Sequence, residues 1–424
     1  LSRRGGNCAF FSTPIIFSKL KAYLVIKKIV RRLFRKTPDV MGHFDQPRSA
    51  ADLRGRFTIA VSGWLAAKNI VKPLRLEING VSVPYETVDR PDVAAQLKNN
   101  LRSVTGFKIE IPAETLCGQS VFTANFGGVT TTLALDENFE TTLRTMQEAQ
   151  QEKRSFILKN LICPECRGDI HPASAQVLRC ATCQNVYGFE NDTPILLSGV
   201  IREKSAIRET ENISSHGYDP LIQKQLAENP EKMFLDAGAG FRSFYYPNVV
   251  NLEICNYRST DIVASGQFIP FKDETFDGVI SVAVMEHVPN FFEYADNILR
   301  VVKPGGWIFC AVPFLQPEHG YPDHYYNMTS EGLLNIFRKR VDFVEKGFID
   351  HSMHPLLSLK WILDLYEPAL TDPKTRAAFG KMKVSHLVRM SPEDTQTLIK
   401  THRLETETYR RICHGSYFIG NKSS

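Results

Sequence analysis

The chain has no apolar run as long as the roughly 18–20 residues that a membrane-spanning helix needs, so no such helix is expected. It has no internal repeat and no low-complexity tract, which argues against a solenoid or a composition-driven disordered chain. Its nine cysteines are too few and too scattered for a disulfide framework, with Cys8, Cys117, Cys255, Cys310 and Cys413 standing apart. A reducing interior fits that usage, and a cytoplasmic location is the expectation. Charge of one sign is also scarce. The net charge is +5, and residues 17–36 alone carry eight Lys or Arg with no acid. The remainder is slightly acidic, so charge does not mark a nucleic-acid surface over the whole chain. The chain opens on Leu1, and no targeting reading is taken from that end.

What is present is ordinary for a globular protein: 43% hydrophobic and 23% charged residues over 424 positions, a length that predicts two to four domains. Residues 1–46 form a basic segment. Within it, Leu20, Leu24, Ile29 and Leu33 can line one helical face beside Lys27, Lys28, Arg31 and Arg32. Such a helix can lie on the inner membrane surface or bind a partner. It can equally be a solvated basic tail or dock on the protein's own domains.

Residues 47–137 change to a period of two. Ile59 and Val61 alternate with other residues, as do Leu76 and Ile78, then Val81, Val83 and Tyr85. Asn79-Gly80 between the latter runs is a strong hairpin signal. Further strands are predicted at Phe107–Ile111 and Val121–Phe126, completing a small antiparallel β-sandwich. Its SGW (62–64), NG (79–80), RPDV (90–93) and TGF (105–107) resemble a β-sandwich module attached to bacterial glycosyltransferases and related enzymes of surface-polysaccharide synthesis. Trp64 and Arg90 are then candidates for a sugar platform; the alternative is that they are core and ion-pair residues. Residues 138–160 are polar and helix-favouring, a connecting helix.

Residues 161–198 place Cys163, Cys166, Cys180 and Cys183 as two CxxC pairs separated by 13 residues. Two such pairs on tight turns bring four thiolates to the corners of a tetrahedron, the closed structural geometry of Zn²⁺. Gly168 and Gly188 follow the turns, where left-handed backbone is expected. A redox dithiol is the alternative, but it has no need of a second pair. With all four ligands supplied by the chain, the ion would be structural. The ribbon, ending in NDTPILL (191–197), resembles one placed before the catalytic domain of some bacterial methyltransferases, including ribosomal-RNA guanine methyltransferases. That resemblance implies RNA contact as an alternative. Against it, Arg167 and Arg179 are a sparse basic surface.

Residues 199–424 carry the chemistry. FLDAGAG (234–240) reads as a strand closing in a small-residue turn, with Asp236, Gly238 and Gly240 able to let a ligand approach the backbone. NVVNLEI (248–254) is a second strand ending in Glu253, where nucleotide-binding α/β folds place a ribose-binding acid. A third strand follows, then Ile269-Pro270-Phe271. Asp277 opens a fourth strand, which Glu286-His287 closes. A helix over 290–301, a KPGG turn (303–306) and a fifth strand (307–313) complete the series. Together these motifs resemble a class I S-adenosylmethionine-dependent methyltransferase of the type 11-like kind. The resemblance implies a Rossmann-like α/β domain and S-adenosylmethionine as cofactor. It also implies Asp236, Gly238, Gly240, Glu253, Ser265 and Phe268 as cofactor-binding residues. Two departures stand out. Arg242 occupies the place of the family's third glycine, with a shortened first helix, and Ser265 replaces an aspartate near the adenine amine; Gln267 or Phe268 would then share that contact.

Substrate groups should lie beyond the carboxyl ends of strands four and five. There the chain offers His287 and the segment 313–337, rich in His319, Asp323, His324, Tyr325 and Tyr326, a natural lid. His287, His319 and His324 are the general-base candidates; His287 can instead brace the cofactor pocket. No cysteine or histidine cluster suited to a catalytic metal is evident in this domain. The expected acceptor is a small molecule or glycan of surface-polysaccharide metabolism. An RNA methyltransferase and a non-catalytic carbohydrate-binding scaffold are the alternatives.

Overall fold

The computed structural model describes residues 40–47, 58–67, 75–97, 103–112, 121–126, 129–134, 137–208, 215, 217–320, 323–347 and 353–412. The basic stretch 17–36 lies outside them. The chain divides into two compact units, 1–149 and 150–424.

The first unit has two antiparallel sheets. One runs β1-β2-β6-β5, from β1 (Val40–Gln46), β2 (Thr58–Ala67), β5 (Glu86–Val88) and β6 (Ser103–Pro112). The other runs β4-β3-β7-β8, from β3 (Arg75–Ile78), β4 (Val81–Val83), β7 (Val121–Phe126) and β8 (Val129–Ala134). Period-two alternation gives both sheets an apolar face, and Ile59, Val61, Leu65, Leu76, Phe107, Phe122 and Ala124 meet in one core. Asn79 and Gly80 both have positive φ, as a two-residue hairpin demands. The segment Val40–Gln46 is not expected to be a strand, since VMGHFDQ shows no alternation; pairing with β2 makes it one. Trp64 points to the opposite face, packed with Met41, Val93 and Leu97 around α1 (Pro91–Gln96) and only 2% exposed. Arg90 pairs with Asp45 and Asp92. Both sugar-platform candidates are therefore occupied within the sandwich.

The helix α2 (Glu137–Asn160) is polar as a whole, but its last turns carry Lys153 and Ile157, followed by Leu161, four residues apart and on one face. All three are buried in the second unit. The Lys153 ammonium donates to the Val249 carbonyl at 2.8 Å and to Asp261 at 2.9 Å, and lies over the Tyr245 ring. Burial pushes its pKa down, against the attraction of Asp261.

The four-cysteine segment forms an antiparallel sheet of β9 (Ile170–Ser174), β10 (Val177–Cys180), β11 (Val186–Glu190) and β12 (Thr193–Pro194). It shares a core with the C-terminal α/β domain: Ile170, Leu178, Tyr187 and Leu196 pack in one cluster with Leu235, Phe271 and Phe276. Backbone pairing of Leu161 with Phe271 and of Ile195 with Val263 stitches the two together. After α3 (Gly199–Lys204) and α4 (Pro220–Glu228) comes a parallel sheet in the order β15-β14-β13-β16-β17. Its strands are β13 (Phe234–Ala237), β14 (Val249–Glu253), β15 (Ile262–Val263), β16 (Phe276–Val282) and β17 (Val302–Ala311). β13 and β14 are buried throughout, as parallel strands covered on both faces must be.

The connection from β13 to β14 contains no helix, where a shortened one is expected from the sequence. Residues 238–248 are too few to form a helix and still cross back to the start of the neighbouring strand. The KPGG segment likewise differs from a turn. It lies within β17 as a bulge, with Phe276 opposite Val302 and Gly278 opposite Trp307. A Cβ on Gly306 would sit 2.5 Å from Val302 and 3.0 Å from the Asp277 carbonyl, so only glycine fits. The helix α5 (Phe291–Val301), capped by the Asn290 side chain, buries Tyr294, Ala295, Ile298 and Val301 on the sheet. Beyond residue 320 the described residues are coil and helix: α6 (Ser330–Phe337), α7 (Pro355–Ala369), α8 (Pro373–Phe379), α9 (Val384–Arg389), α10 (Pro392–Thr401) and α11 (Thr406–Ile412). No helix among the described residues is long and apolar enough to cross a membrane.

Lys153→Ala leaves Asp261 and the Tyr246 and Val249 carbonyls without their cation, and should cost roughly 3 kcal/mol. Urea unfolding of the purified chain measures it, and Lys153→Met should lose less because its stem still packs.

Candidate functional site

The site begins with a buried carboxylate. Asp236 lies near the end of β13 with one oxygen held by the Arg242 guanidinium (Nη2 at 2.6 Å, Nε at 3.0 Å) and by the Tyr218 hydroxyl at 2.5 Å. Arg242 also lies over the Tyr218 ring at 4.4 Å. The residue that departs from the family's glycine pattern is thus the partner that lets Asp236 be buried. Gly238 and Gly240 then turn through φ +98° and +61°. A Cβ on Gly238 would come within 2.5 Å of Val284, just past the end of β16.

Glu253 closes β14 and faces the same turn. Its carboxylate accepts from the Gly240 and Ile254 N–H groups, each at 2.7 Å. Burial pushes its pKa up, and those N–H bonds oppose the rise. Beyond the end of β15, Ser265 shares its hydroxyl with Ser205 at 2.7 Å and accepts from the Gln267 N–H. The Gln267 side chain donates to Glu293 at 3.2 Å, while its carbonyl oxygen is buried without a partner. Tyr294 donates to the Ala237 carbonyl at 2.6 Å and accepts from Ser281, fixing the floor.

These residues line one cleft of about 710 Å³, solvent mouth included, walled by Gly238, Gly240, Glu253, Ser265, Gln267 and His287 among others. It lies outside the carboxyl ends of β13 to β16, where open parallel sheets take nucleotide ligands. Four of the six cofactor candidates line it. Asp236 lies beneath the turn rather than on the wall, because Arg242 and Tyr218 hold it there. Phe268 also misses the wall. It packs with Leu197, Ile201 and Val263, under Lys204. Gln267, its neighbour, lines the cleft instead.

The three candidate histidines come together. His287 is 5.0 Å from His319 and 5.6 Å from His324, ring centre to ring centre, and the latter two are 4.3 Å apart. The segment that carries His319 and His324 is pinned beside the end of β16 by Tyr325 N–H donating to the Glu286 carbonyl and by the Tyr326 hydroxyl donating to the Pro289 carbonyl. Burial lowers His287 to about 4 and lowers His319 as well. In the sequence, Glu286 stands out only as part of a strand-ending motif. It is fully buried, both its carboxylate oxygens lack a partner, and burial pushes it up to about 8. Glu286, His287 and His319 have ligand atoms within 4.8 Å of one another, which corrects the expectation that no metal-suited cluster occurs in this domain. Spacing along the chain could not reveal it, because His319 arrives from an irregular coil.

The other cluster is the one expected. The sulfurs of Cys163, Cys166, Cys180 and Cys183 lie within 4.8 Å of one another. Gly168 and Cys183 N–H groups point at Cys166 and Cys180 sulfurs, each at 3.4 Å, and the Tyr187 hydroxyl is 3.1 Å from Cys163. The left-handed residues of the two turns are Arg167 (φ 62°) and Gln184 (φ 64°), not Gly168 and Gly188. Gly168 is required for space instead, since a Cβ there would lie 2.3 Å from Thr182.

Residues 245–310 match the family described as a methyltransferase domain. An uncharacterized protein of Methanocaldococcus jannaschii is 31% identical over 103 residues, covering 22% of this chain and 45% of that protein. Demethylmenaquinone methyltransferase of Bacillus subtilis is 28% identical over 123 residues, 28% of this chain and 52% of that protein. A mitochondrial ubiquinone biosynthesis O-methyltransferase of Dictyostelium discoideum is 31% identical over 102 residues, 24% and 30% of the two chains. The chain spans about half the length, or less, of these curated relatives. The parallel sheet, the glycine turn and the family match define a class I S-adenosylmethionine-dependent methyltransferase domain. In this chain it follows an antiparallel β-sandwich and a four-cysteine cluster in which Cys163 and Cys180 are buried.

Gly238→Ala adds a left-handed strain of about 1–2 kcal/mol and a clash with Val284. We expect S-adenosylmethionine binding at least tenfold weaker by calorimetry. Adding Val284→Ala should recover part of the loss, since it removes both methyls from the clash.

Proposed function

We propose that the chain transfers a methyl group from S-adenosylmethionine to an oxygen of a small hydroxylated molecule. The observation that carries this is the cleft itself: Gly238, Gly240, Glu253 and Gln267 line one space at the carboxyl edge of the sheet. The residues present fit the cofactor. The glycine turn admits the backbone-bound end, Glu253 retains acceptor capacity for ribose hydroxyls, and Gln267 offers an acceptor where Ser265 is already engaged. When bound, the sulfonium supplies an activated methyl and a neutral leaving group. The chain's own work is to orient an acceptor in line with it, exclude water and manage one proton.

The acceptor reading moves away from the one expected from the β-sandwich. Relatives named for demethylmenaquinone and for ubiquinone biosynthesis favour a quinone-type ring over a glycan, and the second, named an O-methyltransferase, supports oxygen as the acceptor atom. Trp64 is buried and Arg90 is paired, which removes the residues that suggested a sugar platform. A surface-polysaccharide acceptor therefore stands second, supported by the sandwich alone. RNA is disfavoured because Arg167, one of the ribbon's two arginines, is tied to Asp273 at 2.6 Å. A non-catalytic scaffold is disfavoured because the cleft is open and Glu253 faces it. We assign the four cysteines a structural Zn²⁺, whose thiolates at about 2.3 Å would stand roughly 3.8 Å apart, close to the 3.4–3.6 Å of two pairs here. A cytoplasmic location, with membrane contact through residues 17–36, belongs to the same reading.

Labelled cofactor should methylate a hydroquinone in preference to sugar nucleotides or bulk RNA. Glu253→Gln should weaken cofactor binding about tenfold, roughly 1.4 kcal/mol. A wild-type chain that gives no heat with the cofactor would overturn the assignment. Metal analysis should find one tightly held zinc per chain, and Cys180→Ser should yield misfolded protein; a well-folded, zinc-free variant would refute the structural ion.

A further inference from the structure

We propose that Glu286, His287 and His319 form a second metal site, for a first-row divalent cation, at the acceptor side of the cofactor cleft. The hydrogen bonds fix which ring nitrogens are free. His287 Nδ1 is 2.7 Å from the Asp323 carbonyl, and a carbonyl only accepts, so Nδ1 carries the proton and Nε2 the lone pair. His319 Nδ1 is 2.9 Å from the Pro317 carbonyl, which assigns the same tautomer and leaves its Nε2 free. His324 is the reverse: Nε2 donates to the Tyr326 carbonyl at 3.0 Å, and Nδ1 accepts from the His319 backbone N–H at 3.3 Å. His324 is therefore an orienting residue, not a ligand. Imidazoles whose second nitrogen donates to a carbonyl are the usual form of metal-binding histidine.

The third ligand is the strongest indication. A fully buried carboxylate with no hydrogen bond to either oxygen is costly. Glu286 Oε1 is 3.9 Å from His287 Nε2, too far for a hydrogen bond, yet near the roughly 3.4 Å that separates ligands around an ion at about 2.1 Å. Two imidazoles and one carboxylate on one side of an ion leave its other positions open. The donor set favours Mn²⁺, Fe²⁺, Co²⁺ or Zn²⁺ over the oxygen-only sites of Ca²⁺ and Mg²⁺. His287 also lines the cofactor cleft, so the open positions face the space where an acceptor must sit.

What the ion does there rests on the methyl-transfer reading; that it binds does not. A hydroxyl on the ion gives up its proton to water at lower pH than when free. Its oxygen forms the bond to the methyl carbon as the carbon–sulfur bond breaks, and the sulfur keeps that electron pair.

The test uses the full chain with its cysteine-bound zinc in place. Mn²⁺ discriminates against thiolates, so it reports the nitrogen and oxygen site alone. Calorimetry and electron paramagnetic resonance should find one bound Mn²⁺ per chain. Binding should fall at least tenfold in Glu286→Gln and in His319→Ala, each checked for folding by circular dichroism, with cofactor heat retained in His319→Ala. No bound Mn²⁺ or Co²⁺ in the wild type, or equal binding in the folded variants, overturns the site. Mn²⁺ held by these residues in a chain that transfers no methyl group leaves the site standing and sinks the methyl-transfer reading instead.

Discussion

The structure of the second unit turns on the buried carboxylate of Asp236. It sits near the end of the central strand, under a turn whose two glycines carry positive φ. An isolated charge there would cost several kcal/mol, so the chain must return a cation to it. Arg242 does this from inside the loop that elsewhere in the family begins a helix, and Tyr218 adds a hydroxyl from just before α4. The consequence is a crossover held by an ion pair instead of a helix. Arg242 N–H donates to Ser259, fixing the loop against the approach to β15. Gly240 N–H donates to Glu253, so the same turn positions the acid at the end of β14. The shape of the cleft is thus set by electrostatics beneath it, not by its lining residues alone.

A second constraint runs from the cysteine cluster to the same pocket. Arg167, on the first CxxC turn, pairs with Asp273. Asp273 in turn pairs with Arg300 at 2.9 Å, and Arg300 donates to the carbonyls of Phe271 and Ile269. Those carbonyls belong to the segment that follows Ser265 and Gln267. The surface pairs are individually worth little, but Arg300 is half-buried and ties four backbone and side-chain groups at once, Asn297 being the fourth. Together with the shared apolar core, this makes the ribbon a brace for the Ser265–Gln267 side of the cleft.

Much of this could be read from the chain. The parallel strands announced themselves because fully buried strands are apolar end to end and stop at small or acidic residues, as FLDAGAG and NVVNLEI do. The cysteine spacing placed four sulfurs together for a related reason, since short CxxC turns leave little freedom. The sandwich strands alternate, except Val40–Gln46, whose strand state comes from β2 and not from its own pattern. Other features depend on what folds against them. Nothing local distinguishes Lys153 from Lys159, the other lysine of α2, or shows that Phe268 faces Leu197 while Gln267 lines the cleft. Arg242 looks like damage to a motif because its partner, Asp236, is a neighbour in space whose burial is invisible in the sequence.

The histidines illustrate the limit most sharply. Imidazoles beside a methyl-transfer cleft suggest a general base, and spacing alone supports that as well as anything else. A base works best with a pKa near the operating pH. His287 is held down to about 4 by burial, and its Nδ1–H is committed to a carbonyl. At neutral pH such a ring offers a lone pair but little appetite for a proton. Glu286 is the opposite case, pushed up to about 8 with no donor to hold its charge. A neutral imidazole with a fixed tautomer and a carboxyl waiting for a positive neighbour are poor acid–base partners for each other, as their 3.9 Å separation shows. Both are what a cation needs: it would hold Glu286 ionised and demand nothing of His287 but the lone pair already presented.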